Sequence, residues 1–136
     1  MIILYEIEIY EDKNGKSDIK EYITNLQERK TKDNNIKFNK IISYIRILSD
    51  KGLALGEPYI KHLEDEIWEL RPLRDRILFA YNDNNKFVLL SIFMKQTRKT
   101  PYREIQRAKR YLKDYRDRSE QKWVKNLQIG KILKKL

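Results

Sequence analysis

The sequence predicts an α+β fold in which an N-terminal strand and two helices pack on a small antiparallel sheet, followed by a C-terminal helix or helices. The chain opens with an alternating segment at residues 5–9, and two segments with apolar residues at helical spacing follow it. Three short apolar runs come next, separated by brief turns. Because such short turns join neighbouring strands that run in opposite directions, these runs predict an antiparallel meander.

The first strand and the two helices have separate sequence signals. Alternation at residues 5–9 indicates a strand with one buried face, and we assign the apolar residues 1–4 to it rather than to a signal peptide. Ser17 is suited to cap the first helix, and Gly52 to end the second. The predicted core positions of the two helices are Ile19, Tyr22, Ile23 and Leu26, then Phe38, Ile41, Ile42, Ile45 and Leu48.

Residues 53–65 are predicted to form a connector, which contains the only histidine, His62. The three strands of the meander follow, at residues 67–71, 76–81 and 87–94.

Alternation in the first meander strand assigns its side chains to two faces. Trp68 and Leu70 are predicted to face the helices. Glu69 and Arg71 then lie on the open face of the sheet.

A basic loop follows the last strand. Lys95, Arg98 and Lys99 bring three cations into five residues where the strand ends. Such a group suits an anion such as phosphate, although a solvated basic loop without a ligand explains the composition equally well. Thr100 is predicted to cap the next helix and Pro101 to occupy its first position.

The remainder of the chain predicts a basic helix with a narrow apolar stripe, formed by Ile105, Ala108, Leu112 and Tyr115. We expect residues 1–116 to form one domain. Residues 117–136 are predicted to be a basic C-terminal extension, either helical or disordered.

The net charge of +10 is concentrated in the last third of the chain. Residues 1–94 carry 15 basic and 16 acidic side chains, whereas residues 95–136 carry 15 and 4 and therefore have a net charge of +11. This distribution favours nucleic acid, an anionic membrane or an acidic protein as a partner. The chain has no cysteine and no run of 18 apolar residues, so we expect a cytoplasmic protein without a disulfide, a Cys-zinc site or a membrane span.

The sequence lacks a Gly-rich phosphate loop, a HExxH motif and a Gly-x-Ser-x-Gly motif. A set of cations with a tyrosine remains. We predict catalytic roles for Arg71, Arg76, Lys95, Lys99 and Tyr102, and RNA contacts for Arg98, Arg103, Arg107 and Arg110.

Such a set can hold an RNA phosphate, orient the 2′-hydroxyl for in-line attack and stabilise the transition state, with no metal or other cofactor. The general base stays open between His62, Glu69 and a lysine with a lowered pKa. Phosphate binding without a reaction is the alternative.

Four motifs, in this order, resemble the RelE/ParE toxin superfamily and, more narrowly, its HigB-like, phage-derived branch. They are Leu55-Gly56-Glu57-Pro58-Tyr59 with Lys61-His62-Leu63, Ile67-Trp68-Glu69-Leu70-Arg71, Arg76-Ile77-Leu78-Phe79-Ala80-Tyr81, and Phe93-Met94-Lys95-Gln96-Thr97-Arg98-Lys99-Thr100-Pro101 with Glu104-Ile105 and Ala108. The resemblance covers roughly residues 1–116.

The resemblance implies the toxin of a type II toxin–antitoxin pair, a ribosome-dependent mRNA endonuclease (mRNA interferase) that inhibits translation. It implies a HigA-like helix-turn-helix antitoxin, the ribosome and mRNA, and operator DNA through the antitoxin as partners, and no membrane. By position, Arg71 and Arg76 resemble the sheet arginines of the family, and Lys95 and Lys99 its basic loop residues. Tyr102 resembles a tyrosine that some members place beside the scissile phosphate.

Two other functions remain open at this point. ParE-like members have the same fold but inhibit DNA gyrase. A non-catalytic, basic nucleic-acid-binding module would also explain the charge of the last third of the chain.

Overall fold

A computed structural model describes residues 4–134, and for residues 129–133 it describes the backbone only. The elements follow in the order β1 (Glu6–Ile9), α1 (Asp18–Glu28), α2 (Lys32–Lys51), a 3₁₀ turn (Gly52–Leu55), β2 (Ile60–Glu64), β3 (Ile67–Leu70), β4 (Asp75–Asn82), β5 (Lys86–Met94) and α3 (Tyr102–Lys134). The predicted α+β class is confirmed.

The five strands form one sheet in the order β1-β5-β4-β3-β2. The pairs β2–β3, β3–β4 and β4–β5 are antiparallel, as predicted for the meander. The strand β1 instead pairs with β5 in parallel, with Glu6 opposite Lys86 and Ile9 opposite Leu89. The sheet is therefore mixed, and the chain has one strand, β2, more than the sequence predicted.

The two faces of the sheet have separate cores. One core packs the sheet against α1 and α2 and includes Ile19, Leu26, Ile41, Leu48, Leu70, Ile77, Phe79, Phe87 and Leu89. The other packs it against α3 and includes Tyr10, Ile67, Leu78, Ala80, Val88, Leu90, Ala108 and Leu112. Both faces of the central strands are thus covered, which explains why the β5 sequence is almost continuously apolar.

The prediction that residues 53–65 are only a connector was wrong for β2. Ile60 is 1% exposed and pairs with Leu70 across the sheet. Lys61, His62 and Glu64 of this edge strand are charged or polar, and Leu63 is out of alternation with Ile60, so no alternating pattern marks the strand in the sequence. At the other end of the chain, the strand predicted over residues 1–4 lies outside the described residues except for Leu4, which precedes β1.

The predicted ends of α1 and α2 are confirmed. The Ser17 hydroxyl accepts a hydrogen bond from the Lys20 backbone N–H at 3.2 Å. At the end of α2, Gly52 adopts a φ of 60° and its N–H donates to the carbonyl of Leu48. This backbone conformation strongly favours glycine.

Substitution of Gly52 by alanine should destabilise the fold more than substitution of Gly56. Both glycines have positive φ, so either alanine should cost about 1–3 kcal/mol of strain. A Cβ on Gly52 would also lie 2.6 Å from Cε2 of Tyr5, whereas the nearest atom to a Cβ on Gly56 is 3.9 Å away. Urea unfolding of the two variants measures this difference. Equal stability would mean that the Tyr5 ring moves aside at no cost.

The helix α3 lies on the sheet through its N-terminal half. Ala108 and Leu112 of the predicted stripe are buried, and so is Glu104, which the stripe did not include. Salt bridges attach one side of α3 to the end of β2 and the turn that follows it. Lys109 pairs with Glu64, and Arg116 pairs with Glu66 at 2.6 Å. The helical backbone continues to Lys134.

Beyond the sheet, the second half of α3 exposes large apolar side chains, including Trp123, Val124 and Leu127. Within residues 4–134, none of the helices has an apolar stretch long enough to cross a membrane.

The other side of α3 is fastened by tyrosines. The rings of Tyr10 and Tyr111 stack with 4.6 Å between centroids, and the Tyr10 hydroxyl donates to Asp114 at 2.7 Å. Burial and then this hydrogen bond raise the pKa of Tyr10 to about 12. The protonated phenol is therefore the form that the folded protein favours.

The raised pKa makes a pH-dependent contribution to stability. The phenol of Tyr10 should stabilise the fold fully below pH 10 and lose this contribution as pH rises from 10 to about 12, because only the unfolded chain ionises there. The free energy of unfolding of the wild type, measured against Tyr10→Phe, should fall across this window. A difference that stays constant with pH would contradict the prediction.

Candidate functional site

A buried carboxylate lies at the centre of the predicted site. Glu69 is 1% exposed, although the sequence placed it on an open face of the sheet. Its Oε1 atom lies 3.6 Å from Nε of Arg71 and 3.8 Å from Nε of Arg76. Its other oxygen accepts a hydrogen bond from the Thr100 hydroxyl. The prediction of an open face was therefore wrong, because the start of α3 and the arginine side chains cover this carboxylate.

Strand geometry brings these side chains together. Glu69 lies in β3 and Arg71 directly follows that strand. Because they are two residues apart in extended backbone, their side chains project from the same face of the sheet. Lys61 on β2 is directly opposite Glu69. Lys95 follows the last residue of β5, and its N–H donates to the carbonyl of Arg74 at 2.8 Å, just before β4 begins. We call Lys61, Arg71, Arg76 and Lys95 the basic cluster.

The Arg76 side chain is held from two directions. It is 11% exposed, and its Nη1 atom donates to the carbonyls of Leu73 at 2.7 Å and Asp75 at 2.8 Å. Burial lowers its pKa, which the charge of Glu69 partly offsets. The Asp75 carboxylate accepts a hydrogen bond from the Tyr22 hydroxyl at 2.6 Å, which connects the turn to α1.

The surroundings of Lys95 lower the pKa of its side chain. Burial lowers its pKa, and the positive charges of Arg76, Arg71 and Lys61 lower it further. The negative charge of Glu69 acts in the opposite direction. A lysine in such a place gives up its proton more readily than one in water, which suits proton transfer.

The other predicted residues lie outside the buried part of the cluster. Lys99 and Arg98 are exposed on the loop, and Tyr102 is 67% exposed at the first position of α3. The structure thus gathers Arg71, Arg76 and Lys95 around Glu69 and leaves the other two predicted catalytic residues on the surface beside α3.

The three predicted RNA contacts on α3 follow one face of the helix. Arg103 and Arg107 lie 3.7 Å and 3.3 Å from the carboxylate of Glu104, and Arg110 is exposed. Glu104 therefore neutralises part of the charge that the sequence assigned to this face.

Sequence reasoning missed two participants. Lys61 was not predicted to belong to the site, because β2 was taken as a connector. Thr100 was expected to cap α3, but its hydroxyl donates to Glu69, and the Pro101 carbonyl accepts the first helical N–H, from Glu104, at 3.0 Å. The segment Trp68-Glu69-Leu70-Arg71 was the available signal for the buried carboxylate, since a carboxylate close to an arginine on a central strand favours a buried pair.

His62 lies on the exposed side of β2. Its Nε2 atom is 2.7 Å from the carbonyl oxygen of Asp65, and its ring centroid is 5.0 Å from that of Trp68. Among the described residues, no group of three or more acidic, histidine or cysteine side chains could hold a metal ion.

Comparisons with known proteins place the chain in a family. Residues 29–113 match the family described as Phage derived protein Gp49-like (DUF891). No curated protein matches the sequence. Among solved structures, one match is the archaeal RelE–RelB complex from Pyrococcus horikoshii OT3, with a TM-score of 0.48 and 15% identity, covering 71% of this chain and 99% of that chain. The chain belongs to the phage-derived Gp49-like family, whose model covers more than half of its length.

Proposed function

We propose that this protein is a ribosome-dependent mRNA endonuclease, the toxin of a type II pair that a HigA-like helix-turn-helix antitoxin neutralises. The observation that carries the proposal is the basic cluster, in which Arg71, Arg76 and Lys95 share one site around a buried carboxylate. Cations held in a partly desolvated site stabilise developing phosphate charge far better than solvated ones do.

The proposed reaction uses the nucleophile that RNA supplies. The 2′-oxygen forms a bond to phosphorus while the bond to the 5′-oxygen breaks, which leaves a 2′,3′-cyclic phosphate. Arg71 and Arg76 bind the phosphate oxygens, and Lys99 and Tyr102 contact the same phosphate from the loop and the start of α3. A base takes the proton of the 2′-hydroxyl, and an acid gives one to the departing 5′-oxygen.

Lys95 suits the role of base best among the three groups that the sequence left open. Its lowered pKa increases the fraction of neutral amine near physiological pH. Glu69 is less suitable, because its carboxylate is buried and accepts the Thr100 hydroxyl. His62 is less suitable because it lies opposite Trp68, whereas Lys61 lies opposite Glu69, so the His62 side chain projects from the other face of the sheet.

The partners follow from the same proposal. Arg98, Arg103, Arg107 and Arg110 contact RNA of the message or the ribosome through phosphates. The antitoxin covers α1, α2 or the basic α3 and carries acidic residues toward α3. It also connects the toxin to operator DNA, and the pair acts in the cytoplasm.

Mapping mRNA ends after a short pulse of expression tests the function. The wild type should produce new ends, in frame, on translated messages, and Lys95→Ala/Lys99→Ala should not. Growth arrest with intact messages and altered plasmid supercoiling would replace the proposal with gyrase inhibition. Binding of RNA without any new ends would replace it with a non-catalytic nucleic-acid-binding module.

A further inference from the structure

The buried carboxylate of Glu69 has no direct part in the proposed cleavage. Arg71, Arg76 and Lys95 nevertheless lie around it. We infer that Glu69 is a positioning residue that orients Arg71 and Arg76 and, through Thr100, fixes the basic loop beside them. This inference rests on the proposed function for what the oriented cations do.

The burial of Glu69 requires a compensating interaction. An ionised carboxylate is costly to remove from water unless it is paired and hydrogen-bonded. Glu66, three residues earlier in the same hairpin, shows the ordinary surface alternative, with a side chain 59% exposed and paired to Arg116 at 2.6 Å. Glu69 instead has its charge completely enclosed, with cations on one oxygen and a hydroxyl on the other.

Glu69 orients the side chains of Arg71 and Arg76 by charge attraction, without a direct hydrogen bond to their Nε atoms. The Nε atoms of Arg71 and Arg76 lie 3.6 Å and 3.8 Å from Glu69, beyond hydrogen-bond distance. Both Nε atoms are buried and have no hydrogen-bond partner among the described residues. Charge attraction from Glu69 therefore aligns the two guanidinium groups without a direct hydrogen bond to either Nε atom.

The hydrogen bond from Thr100 to Glu69 also holds the basic loop in place. Thr100 lies near the end of the loop that carries Lys95, Arg98 and Lys99, two residues before α3 begins at Tyr102. One carboxylate thus links β3, β4 and the beginning of α3. Movement of the loop would break the Thr100 hydrogen bond and leave a buried carboxylate oxygen unpaired, which is unfavourable.

Glu69→Gln tests the charge of this residue with almost no change in shape. In the free protein, NMR titration of ¹³C-labelled lysine should show the Lys95 pKa lower than in the wild type, because Glu69 now raises it. Because Lys95 is the proposed base, the limb of the pH profile on which the cleavage rate rises with pH should move to lower pH with it. Glu66→Gln, which removes an exposed carboxylate from the same hairpin, should change neither measurement.

Thr100 provides a second test that keeps the charge. Thr100→Val removes the hydroxyl and should lower kcat for RNA cleavage roughly tenfold or more, by loosening the loop. Thr100→Ser retains the hydroxyl and should restore cleavage. This pair decides the question even if Glu69→Gln fails to fold.

The two proposals fail in different ways. An unchanged Lys95 titration in Glu69→Gln, or wild-type cleavage by Thr100→Val, would overturn the positioning role and leave the nuclease proposal standing. Absence of cleavage by the wild type would overturn the nuclease proposal, while the NMR titration would still report whether Glu69 controls the cluster.

Discussion

The Lys95→Ala and Arg76→Ala variants should each lose growth arrest and cleave RNA roughly 100-fold more slowly than the wild type. Both side chains belong to the basic cluster, and the Arg76 side chain is only 11% exposed. Removal of either one leaves phosphate charge less stabilised in a partly desolvated place, where water compensates poorly. Cleavage rates on a translated message, together with growth curves, measure the effect.

Two comparisons separate a catalytic loss from an unfolded protein. Arg46→Ala removes a cation from an exposed position on α2 and should leave growth arrest and cleavage at wild-type levels. Lys99→Ala should reduce cleavage less than Lys95→Ala, because Lys99 is exposed on the loop. Circular dichroism should show that all of these variants are folded. Wild-type toxicity in soluble Arg76→Ala and Lys95→Ala would refute the site assignment.

Much of the fold could be predicted because local patterns determine it. The helices α1 and α2 have continuous apolar stripes and recognisable ends at Ser17 and Gly52, and both ends were found. The parallel pairing of β1 with β5 could not be predicted, because paired positions such as Glu6 and Lys86 are far apart in the chain and no local signal specifies the partner. The strand β2 was missed because an edge strand has too little buried surface to produce a pattern.

The candidate site was predictable in its residue types but not in its electrostatics. Arginines on central strands and lysines after a strand end are visible in the sequence, and the structure gathers three of them. The buried carboxylate of Glu69 accepts a hydrogen bond from Thr100, which is 31 residues later in the chain. Such contacts arise only after the sheet and α3 are assembled, so sequence periodicity assigned Glu69 to an open face.

The parallel pairing also identifies the position where a single substitution should destabilise the fold most. Phe87 lies on β5 opposite Ile7 of β1 and is completely buried. Its ring packs against Tyr5, Phe79 and Tyr81, with centroids 5.2 Å, 5.6 Å and 5.4 Å away. It therefore joins the N-terminal strand, the centre of the sheet and the helical core.

Phe87→Ala should lower the free energy of unfolding by about 3–5 kcal/mol, because the truncation removes a large buried ring and leaves a cavity. Phe87→Leu should lower the free energy of unfolding less, since the leucine side chain fills part of the cavity. Leu127→Ala, at a side chain that is 45% exposed on the distal part of α3, should change stability by no more than about 0.5 kcal/mol. Urea unfolding with an unchanged m-value measures all three. Equal losses for Phe87→Ala and Leu127→Ala would mean that burial of the Phe87 ring contributes little to the stability of the domain.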